Sequence, residues 1–353
     1  MSGGDGSGKR RGLTYRETGV DIDAQDAALE RIKQQVASTR TEGTLSELGS
    51  FGGLFRCPQV PGGVLVSSTD GVGTKILVAI RAGRHDTVGA DLVNHCVNDI
   101  LVMGAKPLFF QDYFAVGHLD PIVAEQVVTG VAAACRQNGC ALLGGETAEM
   151  PDVYRADHYD LAGTIVGLVE QDRMLDGRAV REGDVLVGLA SSGLHTNGYS
   201  LARKIVFELM ELEPDEQMPG CDQSVADALL AVHRSYLPLL DEPLRQGWIA
   251  GLSHVTGGGL RDNLPRVIPE GLGAEVELGS WPVPPLFDAL ARAGEVPAED
   301  MLRTFNLGVG MVAVVHGEHL DALEGHLRQR GESFWRIGRV VAGGGVSFLG
   351  ELR

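Results

Sequence analysis

The 353-residue sequence has no CxxC pair; its five cysteines, Cys57, Cys96, Cys135, Cys140 and Cys221, are scattered. That spacing argues against a zinc ribbon or a disulfide framework, and the expectation is buried thiols in a reducing cytoplasm. No apolar run approaches the roughly 18 residues needed to cross a bilayer. Met1 to Gly12 is rich in Gly and Ser, carries Lys9, Arg10 and Arg11, and lacks the apolar stretch of a signal peptide. Residues 1–14 are therefore expected to form a flexible tail. Positive charge is scarce as well: 30 Lys and Arg stand against 47 Asp and Glu, a net charge of −17. Nucleic-acid binding relies on basic patches and is disfavoured by such a balance. A phosphorylated ligand would have to draw its positive charge locally, from metal ions, single lysines or backbone N–H groups.

What is present is ordinary globular material, 44% hydrophobic and 22% charged, of a length that suits two domains. Leu29, Ile32 and Val36 recur on one helical face behind Asp23, a candidate cap. Val64 to Thr69 reads as a strand, Thr87 to Met103 as a long helix, and Pro107 to Val116 as the next strand. Asp120 followed by Pro121 should start a helix that Gly139 stops. Strands are expected at Cys140 to Leu143 and Tyr159 to Val169. The polar stretch Glu170 to Asp184 is the expected boundary between domains 15–174 and 175–353. Beyond it, strands at Val185–Ala190, near Ala274–Leu278, at Gly310–Val315 and at Trp335–Val340 alternate with helices. The order suggests an α/β (α+β) fold.

Several segments carry chemistry. Gly3 to Lys9 has the skeleton of a P-loop, but Arg10 follows where Ser or Thr is required and no strand precedes it, so it is set aside. In STDGVGTK (68–75) a strand ends in a carboxylate, two glycines permit a sharp turn, and a lysine follows. That turn can aim N–H groups and an ammonium at phosphate while Asp70 holds a divalent cation; a charged hairpin turn is the alternative. Asp91, His95, Asn98 and Asp99 share one stripe of an otherwise apolar helix. A buried carboxylate there demands either a cation or an ion pair, and His95 by itself reads as a satisfied structural histidine. Gly144-Gly145-Glu146 again follows a strand with glycines and a carboxylate; Glu149 reads equally well as a solvated loop acid. SSGLHTNG (191–198) opens a helix, a place suited to anions, and His195 there could transfer protons. HVTGGG (254–259) and the Asn306 segment are weaker candidates for ligand contact.

Together with GVDIDA (19–24), CVNDI (96–100), GAKPLFFQDY (104–113), GGETAEMP (144–151) and TFNLGVGM (304–311), these stretches resemble the aminoimidazole ribonucleotide synthetase family from about Tyr15 to Gly338. The resemblance implies ATP-dependent ring closure of formylglycinamidine ribonucleotide in purine biosynthesis. It implies Mg²⁺ held by Asp70, Asp99 and Glu146, and Lys75 at phosphate. Lys33, Gly49, Phe51, Gly52 and Gly53 would contact ATP, with Gly71, Thr74, Asp91 and Asn98 completing its site. Ser191, Ser192, Gly193 and Asn197 would grip the substrate, with His195 moving a proton. The family also implies a homodimer whose sheet-rich N-terminal domains build a shared barrel, each followed by a C-terminal α/β domain. Its wider superfamily includes selenophosphate synthetase and thiamine-monophosphate kinase as rival readings. A non-catalytic nucleotide-binding module is a rival of another class.

Overall fold

A computed structural model describes residues 22–48 and 52–351. The tail, the Gly3–Lys9 segment, Gly49 and Phe51 lie outside the described residues. Helix α1 (Ile22–Ala37) includes Asp23 rather than starting after it. Strand β1 (Gly63–Gly71) leads through a 3₁₀ turn into α2 (Ile76–Ala82), α3 (Asp86–Leu101), β2 (Lys106–Val116), α4 (Pro121–Gln137), β3 (Ala141–Glu149) and β4 (Tyr159–Glu170). Asp120 caps α4 by accepting from the Ile122 N–H, and Gly139 leaves the helix at φ +67°, as its sequence predicts. β3 runs past Leu143 through the glycines to Glu149, longer than its apolar run alone suggests.

These four strands form one sheet in the order β1-β4-β2-β3; only β2 and β3 are parallel, joined through α4. One face carries α3 and α4. Leu92, Val93, Val97 and Ile100 of α3 are wholly buried, each stabilising by about 2 kcal/mol relative to exposure. The opposite face is open, with Leu65 63% exposed and Tyr113 37% exposed.

After Glu170 the chain leaves this sheet for a second one, whose order is β10-β7-β9-β5-β8-β6. Its strands are β5 (Val185–Ala190), β6 (Gly251–His254), β7 (Leu272–Glu277), β8 (Val309–Val315), β9 (Phe334–Ala342) and β10 (Val346–Leu349). Among the described pairings only β10 with β7 is parallel. β8 is buried at all seven positions, which its unbroken apolar run requires of a strand covered on both faces. β6 and β10 are short and have no alternation signal, so the sequence pattern did not reveal them. Helix α5 (Tyr199–Arg203) has only five residues before it widens into a π turn at Lys204–Leu209.

Candidate active site

The end of β1 begins the site. Gly73 adopts φ +67°, a left-handed conformation that a side chain resists, and the 3₁₀ turn behind it drives Lys75 inward. Lys75 is 0% exposed. Its ammonium donates to Asp91 Oδ1 at 2.8 Å, His195 O at 3.1 Å and Ala231 O at 2.7 Å. All three of its protons are thereby used. Burial pulls Lys75 down and pushes Asp91 up from their ordinary pKa values, against their mutual attraction. The lysine expected at a phosphate is instead half of an enclosed ion pair that ties the β1 turn to the second half of the chain.

The polar stripe of α3 divides into two jobs. Asp91 accepts the His233 N–H at 2.7 Å, and Asn98 accepts the Tyr236 N–H at 3.0 Å while donating to Arg234 O at 2.9 Å. These side chains, which the family resemblance places in the ATP site, dock the 231–236 segment onto α3. His95 and Asp99 face the other way, into the cleft between the sheets. His95 is therefore more than the satisfied core histidine its sequence context suggests.

Seven side chains then form one hydrogen-bonded chain. His95 Nε2 lies 2.9 Å from Asp70 Oδ2, and His95 Nδ1 lies 2.8 Å from Thr196 Oγ1. Thr196 Oγ1 is 3.3 Å from His233 Nδ1, whose Nε2 is 3.0 Å from His254 Nε2. His254 Nδ1 lies 2.8 Å from Asp99 Oδ1, and Ser68 donates to Asp99 Oδ2 at 2.9 Å. Burial works to lower His95, but its hydrogen bond to Asp70 and the charges of Asp99 and Asp70 raise it overall. Burial holds His254 and His233 down, for His254 despite Asp99. A proton is thus favoured on His95 over His233 and His254. Asn98 Nδ2 also lies 3.2 Å from His233 Nε2, so that nitrogen faces both the Asn98 amide and His254. Burial acts to raise both Asp70 and Asp99; the contacts to His95 and His254 outweigh it and hold both carboxyls below their usual range.

Two cavities open on this chain. One, about 260 Å³, is lined by Asp70, Gly71, Gly73, His95, Thr196, Asn197 and Thr256. The other, about 390 Å³, is lined by Asp99, Ser253, His254, Thr256 and Asn263, among others. Thr256 belongs to both. The Gly71 N–H is turned onto Asp70 Oδ1 at 2.6 Å, and exposed Thr74 sits 3.2 Å from Ser200 Oγ.

The hydroxyls of Ser191 and Ser192 in the SSGLHTNG loop are engaged by neighbouring groups. Ser191 Oγ bonds Gly193 O and Asn306 Oδ1, both at 3.0 Å, Ser192 Oγ bonds Val232 O, and Gly193 O also accepts from Asn306 Nδ2 at 2.8 Å. The loop spends its hydroxyls on its own shape. Asn197 is the exception: its Nδ2 is buried without a partner, beside the Asp70 cavity. His195 lies at φ +62°, stacked on His233 at 4.0 Å between centroids, and its Nε2 accepts the Ser192 N–H at 3.2 Å. Burial and the charges around it lower its pKa well below the ordinary value. It reaches neither cavity; the histidines that do are His95 and His254.

Glu146 lies apart from Asp70 and Asp99 within one chain. The row that holds Asp70 continues through Gly163 and Asp112 to Gly145, so Glu146 occupies the adjacent row with Gly71, Ala162 and Tyr113. Side chains alternate along a strand, which places Glu146 on the open face, three strand spacings or roughly 14 Å away. Within one chain it does not join Asp70 and Asp99. Gly145 covers Asp112 instead, where an added Cβ would fall 2.3 Å from Asp112 Oδ1. Lys33 pairs with Glu30 and lines a separate cavity of about 240 Å³ with Arg40, Ser46, Leu48 and Leu143. Gly52 is exposed, and Gly53 packs on the Leu143 side chain bordering that cavity.

Comparison with known proteins resolves what this geometry belongs to. Residues 53–169 match the N-terminal domain of AIR synthase related protein, and residues 181–350 match its C-terminal domain. The phosphoribosylformylglycinamidine cyclo-ligase of Sorangium cellulosum is 51% identical over 95% of this chain and 97% of its own length. The cyclo-ligase of Geobacter sulfurreducens is 51% identical over 94% and 96%. The chain belongs to the phosphoribosylformylglycinamidine cyclo-ligase family. Among solved structures, thiamine-monophosphate kinase from Stenotrophomonas maltophilia shares the fold at TM-score 0.68 and 21% identity, covering 93% of this chain and 97% of its own. Hydrogenase maturation protein HypE in complex with ATP shares it at TM-score 0.64 and 20% identity, with 89% and 86% covered.

Within this cyclo-ligase fold, sequence reasoning missed His233 and underrated His254. His233 stands in no motif, and its only signal is a histidine in an otherwise unremarked HRSY stretch. His254 had the better signal, at the start of a glycine run. The donor chemistry at Asp70 and Asp99 fits Mg²⁺: carboxylate oxygens at a cleft wall, each oriented by one hydrogen bond and each keeping a second lone pair.

Proposed function

We infer that the chain closes the imidazole ring of aminoimidazole ribonucleotide. The formyl oxygen of formylglycinamidine ribonucleotide takes the γ-phosphoryl group of ATP. An amidine nitrogen attacks the activated carbon, a C–N bond forms, the C–O bond to phosphate breaks, and one proton leaves with ADP and phosphate. An amide oxygen is a poor leaving group, so phosphoryl transfer comes first. That transfer needs positioning and charge neutralisation more than a protein nucleophile. The observation that carries the reading is near-complete coverage of cyclo-ligases at about half identity, with their chemistry expected on the Asp70–Asp99 chain.

Asp70 and Asp99 would hold Mg²⁺, which supplies charge neutralisation at the phosphates when bound. Asn197, with its free amide N–H, is suited to a substrate oxygen. His95 and His254 fix the orientation of the two carboxylates, and His95 can hold a proton at Nδ1 at the cavity wall. The enzyme is read as cytoplasmic; among the described residues no helix is long and apolar enough to cross a membrane.

The open face of the first sheet supports a homodimer. Leu65 and Tyr113 are exposed there beside Glu146, and a second copy covering them would bring Glu146 toward a shared ATP site. Sedimentation of the purified chain tests this, and a monomer at micromolar concentration refutes it. The activity itself is tested by ADP release with ATP, Mg²⁺ and formylglycinamidine ribonucleotide, with aminoimidazole ribonucleotide followed in the same samples. Stoichiometric products are expected; ATP binding without product refutes the reading.

A further inference from the structure

A phosphomonoester needs positive charge, and the chain offers little of it near Asp70 and Asp99. Lys75 is spent on Asp91 and two carbonyls. Among the residues lining the two cavities at these carboxylates, Arg266 is the one Lys or Arg. It is exposed and ends the 3₁₀ turn Leu264–Arg266. Arg178 binds Asp176 and Arg261 binds Glu299, but the Arg266 guanidinium has no hydrogen bond or ion pair among the described residues. Asp176 lines the same cavity, and its charge is balanced by Arg178, whose backbone N–H and Nε it accepts at 3.1 and 2.5 Å. Ser253 lines that cavity too, buried and with no partner for its Oγ.

The segment that joins Arg266 to the carboxylates is held firmly. His254, at its start, contacts Asp99. Asn263, 2% exposed, donates from Nδ2 to the carbonyls of Gly259 at 2.8 Å and Gly257 at 3.2 Å, and accepts from Thr256 Oγ1 at 3.3 Å. Gly259 adopts φ +61°, and a Cβ there would fall 2.0 Å from Leu302 O. The turn between His254 and Arg266 is thereby fixed, and with it the place of the guanidinium on the cavity wall.

We propose that the Arg266 cavity takes the 5′-phosphate of the ribonucleotide substrate, while the reacting formyl and amidine groups lie at Asp70 and Asp99. The proposal rests on the ring-closure reading and names the substrate end that this cavity recognises. The cavity measures about 390 Å³ and shares Thr256 with the cavity at Asp70, so one ligand can reach both. A guanidinium presents a planar fork of donors that matches phosphate oxygens. The hydroxyls of Ser191 and Ser192 already have partners. Lys33 and Gly53, expected at ATP, border a different cavity beside Leu143 on β3, at the far edge of the first sheet from β1.

The test compares the ribonucleotide with its dephosphorylated riboside, using the full chain with ATP and Mg²⁺. For Arg266→Gln, kcat/KM on the ribonucleotide should fall about 10–100-fold, the loss expected for hydrogen bonds to a charged group. Arg266→Lys keeps the charge without the fork and should fall less. On the riboside, wild type and Arg266→Gln should agree within about threefold, because the partner of Arg266 is gone. A purely structural role would lower both substrates alike. Titration calorimetry with ribose 5-phosphate reads the subsite without turnover, and its Kd should rise by the same factor in Arg266→Gln. Equal losses on ribonucleotide and riboside, an effect confined to the KM for ATP, or equal Kd values for ribose 5-phosphate overturn the proposal. The two levels separate cleanly. Ribose 5-phosphate bound through Arg266 by a wild type that closes no ring removes the ring-closure reading and keeps the subsite. Normal turnover by both wild type and Arg266→Gln removes the subsite alone.

Discussion

Replacing Lys75 by Met distinguishes a structural lysine from a ligand-binding one. The methionine stem fills the same space, but the Asp91 carboxylate is left buried with only the His233 N–H on Oδ1 and no partner on Oδ2. The Ala231 and His195 carbonyls lose their donor as well. Removing one partner of a buried pair costs about 3–5 kcal/mol, because the remaining charge is uncompensated. At about 1.4 kcal/mol per tenfold, that lowers the folded-to-unfolded ratio by roughly a hundredfold or more. Urea unfolding followed by fluorescence measures it: the midpoint should fall while the slope stays constant. Adding Asp91→Asn removes the stranded charge, keeps an acceptor for the His233 N–H, and should recover about 2 kcal/mol or more. An unchanged midpoint with lost turnover in Lys75→Met would refute the argument and return Lys75 to the phosphates.

Asp112 offers a pH test. Burial raises it from 3.8 to about 7. Between those values the unfolded chain is ionised and the folded protein is still protonated, so stability falls as pH rises and levels off above about 7. The 3.2-unit difference corresponds to about 4 kcal/mol; Asp112→Asn should be neutral near pH 4 and stabilising by up to that amount at pH 8 in urea titrations. A gain independent of pH would contradict it. Asp70→Asn and Asp99→Asn should each abolish turnover while circular dichroism shows the fold retained; normal rates with Mg²⁺ would overturn the metal assignment. Asn197→Ala removes a buried donor that has no partner in the free protein, so stability should hold while substrate KM rises about tenfold. An unchanged KM would exclude Asn197 from the substrate.

The family was legible in the sequence because glycines and carboxylates at strand ends are local features, fixed by spacing along the chain. Helix α4 was legible for the same reason, with Asp120, Pro121 and Gly139 marking its ends. The α3 stripe was also visible as a stripe, but sequence could not say which members it spends on packing. That division depends on the 231–236 segment, more than 130 positions away, lying on Asp91 and Asn98. Lys75 is ambiguous on the same account: a lysine after a glycine turn has the same local pattern whether it meets phosphate or a buried aspartate, and here it meets Asp91. Glu146 could not be placed on a face from sequence because β3 continues through its glycines, so one position along the strand decides which face its side chain takes. His233 stands in no motif; Thr196, Asn98 and His254 meet its ring, and only the packed tertiary structure brings them within hydrogen-bonding distance.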